Sequence, residues 1–491
     1  MSASRSCSLL AASLALLSAC GRDSGPASTS AQNAGTSPNA APRRPDVLVI
    51  SIDSLRADHV GCYGYAKPTT PNLDRFAKEG TRFATAVSTT SWTLPAHAAL
   101  FTGLFDSVHG VVDDAFALSP RANTLAERLH AAGWRTAGCY GGPYLHPVFG
   151  LAQGFERWES CMTAALTLPR DELVKRVLDP AETLSARDVT GPRTAETVDA
   201  LLRDFPADEP LFLFVHLWDV HYDYRPPESY WRRFDPDYAG AFDGRDLAHD
   251  ASIARTMPKR ELEHLVALYD GEIAFTDEIA GRILAAWDAK RGRERSLVVV
   301  TGDHGEEFFE HGGKGHQRTL FEESIRIPLL ARMPGRFEGG RVVEPLTRLV
   351  DVAPTILAAA GLAPDAELDG RDLAPLAAGR AEEPRTALCE LLCDGGEIRA
   401  LRRATTKTIR YKDDFALFQI DLERDPRELD PLPEGSDALR KGLAELDTAV
   451  RAAKERAKRL ELAPLPIVLE DAVRRSLRGL GYDGADESEP R

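Results

Sequence analysis

Two apolar runs in this 491-residue chain end in residue types that bind metal ions. Val47 to Ile52 leads into Asp53-Ser54, and Ser296 to Thr301 leads into Gly302-Asp303-His304-Gly305-Glu306-Glu307. Short apolar runs of this kind read as buried strands, and in open α/β sheets ligands bind at the carboxyl ends of the strands. Asp53, Asp303 and His304 then supply two carboxylates and one imidazole at an edge a ligand can reach. That set suits one divalent ion, Mn2+, Ca2+, Mg2+ or Zn2+. A threonine hydroxyl bound to such an ion would have a lowered pKa and become a competent nucleophile. Taken singly, the residues have plainer readings. A strand-end Asp serves equally well as a helix cap or turn residue, and His304 as a loop histidine.

The elements that must hold these residues follow from hydrophobic periodicity. Val47 to Ile52, Leu211 to Leu217, Ser296 to Thr301 and Ile327 to Met333 read as buried strands of a mostly parallel sheet. Between them, Thr124 to Ala132 carries Leu125 and Leu129 four residues apart. The segment Lys259 to Lys290 puts Leu262, Leu265, Tyr269, Ile273, Ile283 and Trp287 on one helical face. This alternation predicts an α/β fold with a large sheet flanked by helices. After residue 385 the pattern changes to short antiparallel strands at Ala400 to Lys407, Thr408 to Lys412 and Ala416 to Leu422, then a charged helix from Ser436 to Leu460. A catalytic domain over 46–385 and a smaller C-terminal subdomain over 386–491 are predicted.

The net charge of −15 argues against a nucleic-acid partner, which would need a basic face for phosphates. Arg5 and the apolar stretch Ser8 to Leu17 read as a targeting signal too short to span a membrane. The sequence Leu17-Ser18-Ala19-Cys20-Gly21 resembles a bacterial lipobox. That resemblance implies a signal peptide over 1–19, lipidation of Cys20, and a membrane-anchored protein of the bacterial cell envelope, on the periplasmic side or at the outer membrane. An ordinary secretory signal is the plainer alternative. Residues 20–45, rich in Ser, Ala, Asn, Gly and Pro, read as a flexible linker. Five thiols remain besides Cys7 and Cys20, an odd number that excludes full pairing; isolated buried thiols are expected, with Cys389 and Cys393 as possible helix neighbours.

An ordered series of motifs covers nearly the whole chain beyond the linker. It opens with Pro45-Asp46-Val47-Leu48-Val49-Ile50-Ser51-Ile52-Asp53-Ser54-Leu55-Arg56-Ala57-Asp58-His59, then Gly61-Cys62-Tyr63-Gly64 and Thr70-Pro71-Asn72-Leu73-Asp74. Thr90-Ser91-Trp92-Thr93-Leu94-Pro95-Ala96-His97 follows, and later His216-Leu217-Trp218-Asp219-Val220-His221 and Tyr269-Asp270-Gly271-Glu272-Ile273. Asp303-His304-Gly305-Glu306, His311-Gly312-Gly313-Lys314-Gly315-His316, Asp351-Val352-Ala353-Pro354-Thr355 and Asp421-Leu422-Glu423-Arg424-Asp425-Pro426 complete the order. The series resembles the sulfatase family of the alkaline-phosphatase superfamily. Sulfatases usually carry Cys-x-Pro-x-Arg at the nucleophile, with the Cys oxidised to formylglycine. Here the frame reads Thr93-Leu94-Pro95-Ala96-His97, so no formylglycine is expected.

The resemblance implies that Asp53, Asp303, His304 and the Thr93 oxygen hold the metal. It implies that His97, in place of the family Arg, contacts the nucleophile or bound oxyanion. His221 falls where the family has a His near the leaving group, and Lys314 and His316 fall near its basic residues around the transferred group. Ser54 stands where many sulfatases have a second acid. The expected function is metal-dependent hydrolysis of a sulfate, phosphate or phosphonate ester by Thr93, on a small-molecule, glycan or lipid substrate. Two alternatives remain open: an envelope phosphotransferase that passes the group to an alcohol, and a non-catalytic ligand-binding lipoprotein on the same fold.

Overall fold

A computed structural model describes residues 44–162, 189–363, 365–393 and 396–468. The expected signal peptide, Cys20 and the linker up to residue 43 lie outside the described residues, as do residues 163–188.

The central sheet has eight strands: β1 (Asp46–Ile52), β2 (Thr81–Phe83), β3 (Arg135–Tyr140), β4 (Arg157–Ser160), β5 (Leu211–Leu217), β6 (Ser296–Gly302), β7 (Leu329–Arg332) and β8 (Arg341–Val343). Their order is β8-β2-β7-β6-β1-β5-β3-β4, and only β7 runs against the others. β1 lies in the middle, wholly buried, between β5 and β6. Its register pairs Ile52 with Leu217 on one side and Gly302 on the other. Asp53 and Asp303 therefore leave adjacent strands at the same level.

Alternation along the strands sends side chains to two separate cores. Val47, Val49, Phe212, Phe214, Leu297 and Val299 face one of them, with Leu94, Leu100 and Phe101 of helix α1 (Thr93–Thr102). Leu48, Ile50, Leu213, Val215, Val298 and Val300 face the other, against Val198 and Leu201 of α3 (Gly191–Asp204) and Leu265, Ile273 and Ile283 of α4 (Lys259–Arg291). The sheet is thus covered on both faces, as the continuous apolar strands require. Helix α2 (Leu125–Ala131) starts on a capping box between Thr124 and Glu127.

The expected strand Ile327 to Met333 is divided. Arg326–Ile327 pairs in a small three-stranded sheet, and Leu329–Arg332 forms β7. Pro328 stands between them, has no N–H for a ladder, and offers its carbonyl to Gly302 N and Thr301 Oγ1. The C-terminal strands also differ from expectation. They are β9 (Ala387–Leu391), β10 (Ile398–Arg402), β11 (Thr406–Tyr411) and β12 (Leu417–Asp421), in one antiparallel meander. The chain turns at 403–405, so Lys407 and Thr408 share β11 rather than parting two strands, and Cys389 sits in β9 rather than on a helix. Helix α5 (Asp437–Leu460) is capped by Ser436. Residues of this sheet and helix, among them Leu388, Ile409 and Leu446, join the same apolar core as Val49 and Phe214. The five described cysteines form no disulfide with one another.

A buried ionic cluster ties the C-terminal sheet to the segment that follows His316. Lys407 is fully buried; its Nζ lies 3.1 Å from Glu322 Oε1 and 2.6 Å from Glu428 Oε1, and donates to the Leu320 carbonyl. Arg402 Nε adds a second cation at 3.0 Å from Glu322. Removing one partner of such a set leaves an uncompensated buried charge. Lys407→Ala is expected to lower unfolding free energy by about 3–5 kcal/mol, read as a reduced urea midpoint with an unchanged slope.

Candidate active site

The site forms where β1, β5 and β6 end and α1 begins. Helix α1 starts at Thr93, and all ten of its residues are buried. Its N-terminal amides and aligned peptide dipoles favour negative charge at the Thr93 hydroxyl. Gly103, at φ 70°, closes the helix in the left-handed conformation that suits glycine.

Thr93 Oγ1 lies 3.3 Å from Asp53 Oδ2 and 3.2 Å from His304 Nε2. His304 Nε2 lies 3.8 Å from Asp53 Oδ1 and 3.6 Å from Asp303 Oδ2. The Asp53, Asp303 and His304 ligand atoms all fall within 4.8 Å of one another and are buried. The predicted metal residues therefore meet, with Thr93 among them. Asp303 Oδ1 accepts from the Ser54 and His304 amides, at 3.1 and 2.8 Å, while its Oδ2 has no hydrogen-bond partner. An orphaned carboxylate oxygen, a second carboxylate and an imidazole nitrogen in one buried cluster fit a divalent cation. Burial, then Asp53, push Asp303 well above the usual carboxylate range. Burial raises Asp53 as well, but His216, His221 and His304 outweigh it and hold Asp53 low.

Ser54 explains how one acid fewer is accommodated. Its hydroxyl donates to Asp53 Oδ1 at 2.7 Å, and its positive φ of 51° aims its N–H at Asp303. The Ser54 carbonyl accepts from Tyr269 OH on α4, which also accepts from Arg56 N.

The other expected site residues divide. His97 is fully buried, with Nδ1 2.8 Å from the Thr93 carbonyl and Nε2 3.0 Å from Ser51 Oγ. With both nitrogens so engaged, it braces the first turn of α1 against β1 instead of reaching an oxyanion. Burial, then His216, depress its pKa to about 3. His221 stacks on Trp218, with ring centroids 3.9 Å apart, and its Nδ1 donates to the Tyr222 carbonyl. Nε2 is then its basic nitrogen, and burial, then His316, depress it to about 3. Neutral His221 must take up a proton before it can protonate a leaving group. His316 lies between, its ring 4.8 Å from His221 and 4.5 Å from His304, with Nδ1 3.0 Å from Glu306 Oε1. Lys314 turns away from the expected role: its Nζ donates to the Asp250 carbonyl at 2.8 Å.

Two residues beyond the expected set belong here. His216, opposite Ser51 in the sheet register, points Nε2 at Asp53 Oδ2, 3.3 Å away, and anchors Nδ1 on the Gly141 carbonyl. It faces Asp53 at ion-pair distance without a hydrogen bond, from the position of a group behind a metal ligand. Its only signal in sequence was a histidine in an otherwise apolar strand. Glu306 accepts from Tyr224 OH at 2.7 Å and faces His316; burial pushes it up to about 7. A second metal-compatible grouping, His97, His216 and Asp303, shares the cluster. The hydrogen bonds already held by both His97 nitrogens favour the set containing Thr93.

The sulfatase family model matches residues 45–362. The chain belongs to the sulfatase family. It is an ester hydrolase, and residues 310–453 also match the model for the C-terminal part of N-sulphoglucosamine sulphohydrolase. The chain is 28% identical to the uncharacterized sulfatase YidJ of Escherichia coli over 71% of its own length and 73% of that protein. It is 28% identical to human arylsulfatase A over 77% of this chain and 76% of that one. Among solved structures it resembles the phosphonate monoester hydrolase of Agrobacterium radiobacter, with TM-score 0.67, 25% identity and coverage of 84% of this chain and 96% of the other. Membership in a hydrolase family displaces the alternative of a non-catalytic binding lipoprotein.

In this sulfatase-family chain, His97→Ala would leave Ser51 Oγ buried without its partner and remove the ring's bond to the Thr93 carbonyl, which keeps its helical bond to the residue-97 amide. The expected cost of the one orphaned hydroxyl is about 1–3 kcal/mol of stability, measured by urea denaturation, together with reduced kcat as the first turn of α1 loses its tie to β1.

Proposed function

We propose that this enzyme cleaves a sulfate, phosphate or phosphonate ester by direct attack of the unmodified Thr93 hydroxyl, with one divalent ion held by Asp53, Asp303, His304 and Thr93. The observation that carries this reading is Thr93 Oγ1 at the start of a buried helix, within 3.3 Å of Asp53 and 3.2 Å of His304. Formylglycine requires an aldehyde at Cβ; the Thr93 methyl group rules that out, because oxidation there would give a ketone.

A bound divalent ion would supply positive charge that lowers the hydroxyl pKa and offsets charge on the ester oxygens. Thr93 Oγ bonds to sulfur or phosphorus as the bond to the leaving oxygen breaks. Thr93 gives up its proton on the side of Asp53 and His304, and His221, once it has taken up a proton from solvent, hands it to the leaving oxygen. His316, held by Glu306, keeps the His221 ring in place. The N-terminus of α1 favours the charge that develops at Oγ. Water then hydrolyses the threonine ester. His97 keeps Thr93 in register throughout, and His216 faces Asp53.

The substrate we propose is a small-molecule, glycan or lipid ester. Sulfatase relatives support a sulfuryl group, and the phosphonate monoester hydrolase likeness supports a phosphoryl one. We also propose a lipid anchor at Cys20 in the bacterial envelope, on the support of Leu17-Ser18-Ala19-Cys20-Gly21. No helix among the described residues is long and apolar enough to cross a membrane.

Aryl sulfate, aryl phosphate and aryl phosphonate esters assayed with several divalent ions would test the chemistry. Thr93→Ala is expected to lose at least about 10³-fold in kcat, and Asp303→Asn to lose the ion as read by metal analysis. Full activity in Thr93→Ala would contradict the nucleophile. Separately, labelled palmitate should enter the protein in a bacterial host and fail to enter Cys20→Ala.

A further inference from the structure

The motif Tyr269-Asp270-Gly271-Glu272-Ile273 on α4 is only partly used by the site. Tyr269 holds Ser54, and Asp270 holds His59, Tyr65 and Lys67. Glu272 does something else. It lines an open cleft whose enclosed part is about 30 Å³, room for a group the size of a water molecule or an ammonium, and whose wall also includes His221, Trp218, Asp219, Tyr222 and Phe275. The cavity therefore adjoins the ring that serves the leaving oxygen.

Glu272 is 5% exposed. Its Oε1 accepts from Arg225 N at 2.8 Å, and among the described residues nothing donates to its second oxygen. Gly271 makes this arrangement possible: a Cβ there would fall 2.7 Å from Pro226 Cγ and 3.0 Å from Trp231 Cα. The helix can therefore approach the 225–231 segment closely enough for Glu272 to meet Arg225 N. The neighbouring Asp219 is already committed, accepting from Thr190 N, Thr190 Oγ1 and Gly191 N at the start of α3. Burial, then Asp219, raise Glu272 well above the usual carboxyl range, outweighing the lowering by the Arg225 amide and charge. Among the described residues that line the cleft, Arg225 is the one arginine or lysine, and it is exposed.

We propose that this cavity receives the alcohol part of the ester and that Glu272 selects alcohols bearing a protonated amine. The inference rests on the Thr93 reading and extends it to the leaving group. An ammonium group supplies the charge that the Glu272 and Asp219 pair lacks, and hydrogen-bonds to the Glu272 oxygen without a donor. Trp218, Tyr222 and Phe275 form the apolar part of the same wall. A neutral alcohol of equal size leaves the buried acid unpaired, which is how a polar site rejects an analogue.

Ethanolamine O-sulfate and ethylene glycol monosulfate, with the corresponding monophosphates, form matched pairs that differ in the amine alone. The native enzyme should favour the amine ester by about tenfold or more in kcat/KM, and Glu272→Gln should bring that ratio to within about twofold of one. In the native protein, ethanolamine should inhibit aryl-ester turnover competitively where ethylene glycol does not, a result that needs no variant to fold. Equal turnover of the matched esters, equal inhibition by the two alcohols, or a preference that survives in Glu272→Gln would each overturn the assignment. Loss of turnover in Thr93→Ala without any amine preference would remove this inference alone. Retained turnover in Thr93→Ala would remove the underlying mechanism instead.

Discussion

The structure depends on keeping two carboxylates, Asp53 and Asp303, side by side and buried from bulk solvent. Both are essentially unexposed, and both follow central strands whose register fixes them at one level. Burying an ion costs several kcal/mol and demands compensation. The protein supplies part of it through Ser54, the His304 amide, His216 and the start of α1. One oxygen of Asp303 is left over. The same arrangement that is costly for an empty fold is what a divalent cation and a charged ester require.

Thr93 takes its meaning from that surrounding. A hydroxyl at the same position in the helix interior would be an ordinary packed side chain. At the first turn, against two acids and an imidazole, it is placed to react. His97 makes the position stiff: one ring joins the Thr93 carbonyl to Ser51 on β1. The residues on the far side, His221, His316 and Glu306, form a second layer linked by ring contacts and hydrogen bonds. The C-terminal sheet reaches this layer from outside through Lys407 and Glu322, which pin the segment following His316.

Much of the fold was legible in sequence, for a physical reason. β1, β5 and β6 are buried on both faces, so their apolar runs are continuous and their ends are sharp. Asp53 and Asp303 announced themselves as the first acids after those runs. Helix α4 was legible from its period, to within a residue of Lys259–Arg291. His216 was not, because a histidine inside a strand shows its direction only once the sheet register is known. The division at Pro328 is hidden because apolar content continues across it, and the turn between β10 and β11 because Arg403-Ala404-Thr405 holds no Gly, Pro, Asn or Asp to mark it. β9 was missed because Glu390 and Cys389 interrupt its pattern, and Glu390 is satisfied by Arg399 and Ser107 only in the folded chain. The true positions of His97 and Lys314 depend on hydrogen bonds that no motif records.

The central claim is that an unmodified threonine carries the transferred group. Quenching the enzyme during turnover of an aryl sulfate or phosphonate ester, followed by peptide mapping by mass spectrometry, tests it most directly. The account predicts that the peptide containing Thr93 gains the mass of one sulfuryl or phosphonyl group, located on Thr93, and that the rest of the chain does not. The group found on another side chain, or full turnover with no labelled Thr93 under trapping conditions, would contradict it.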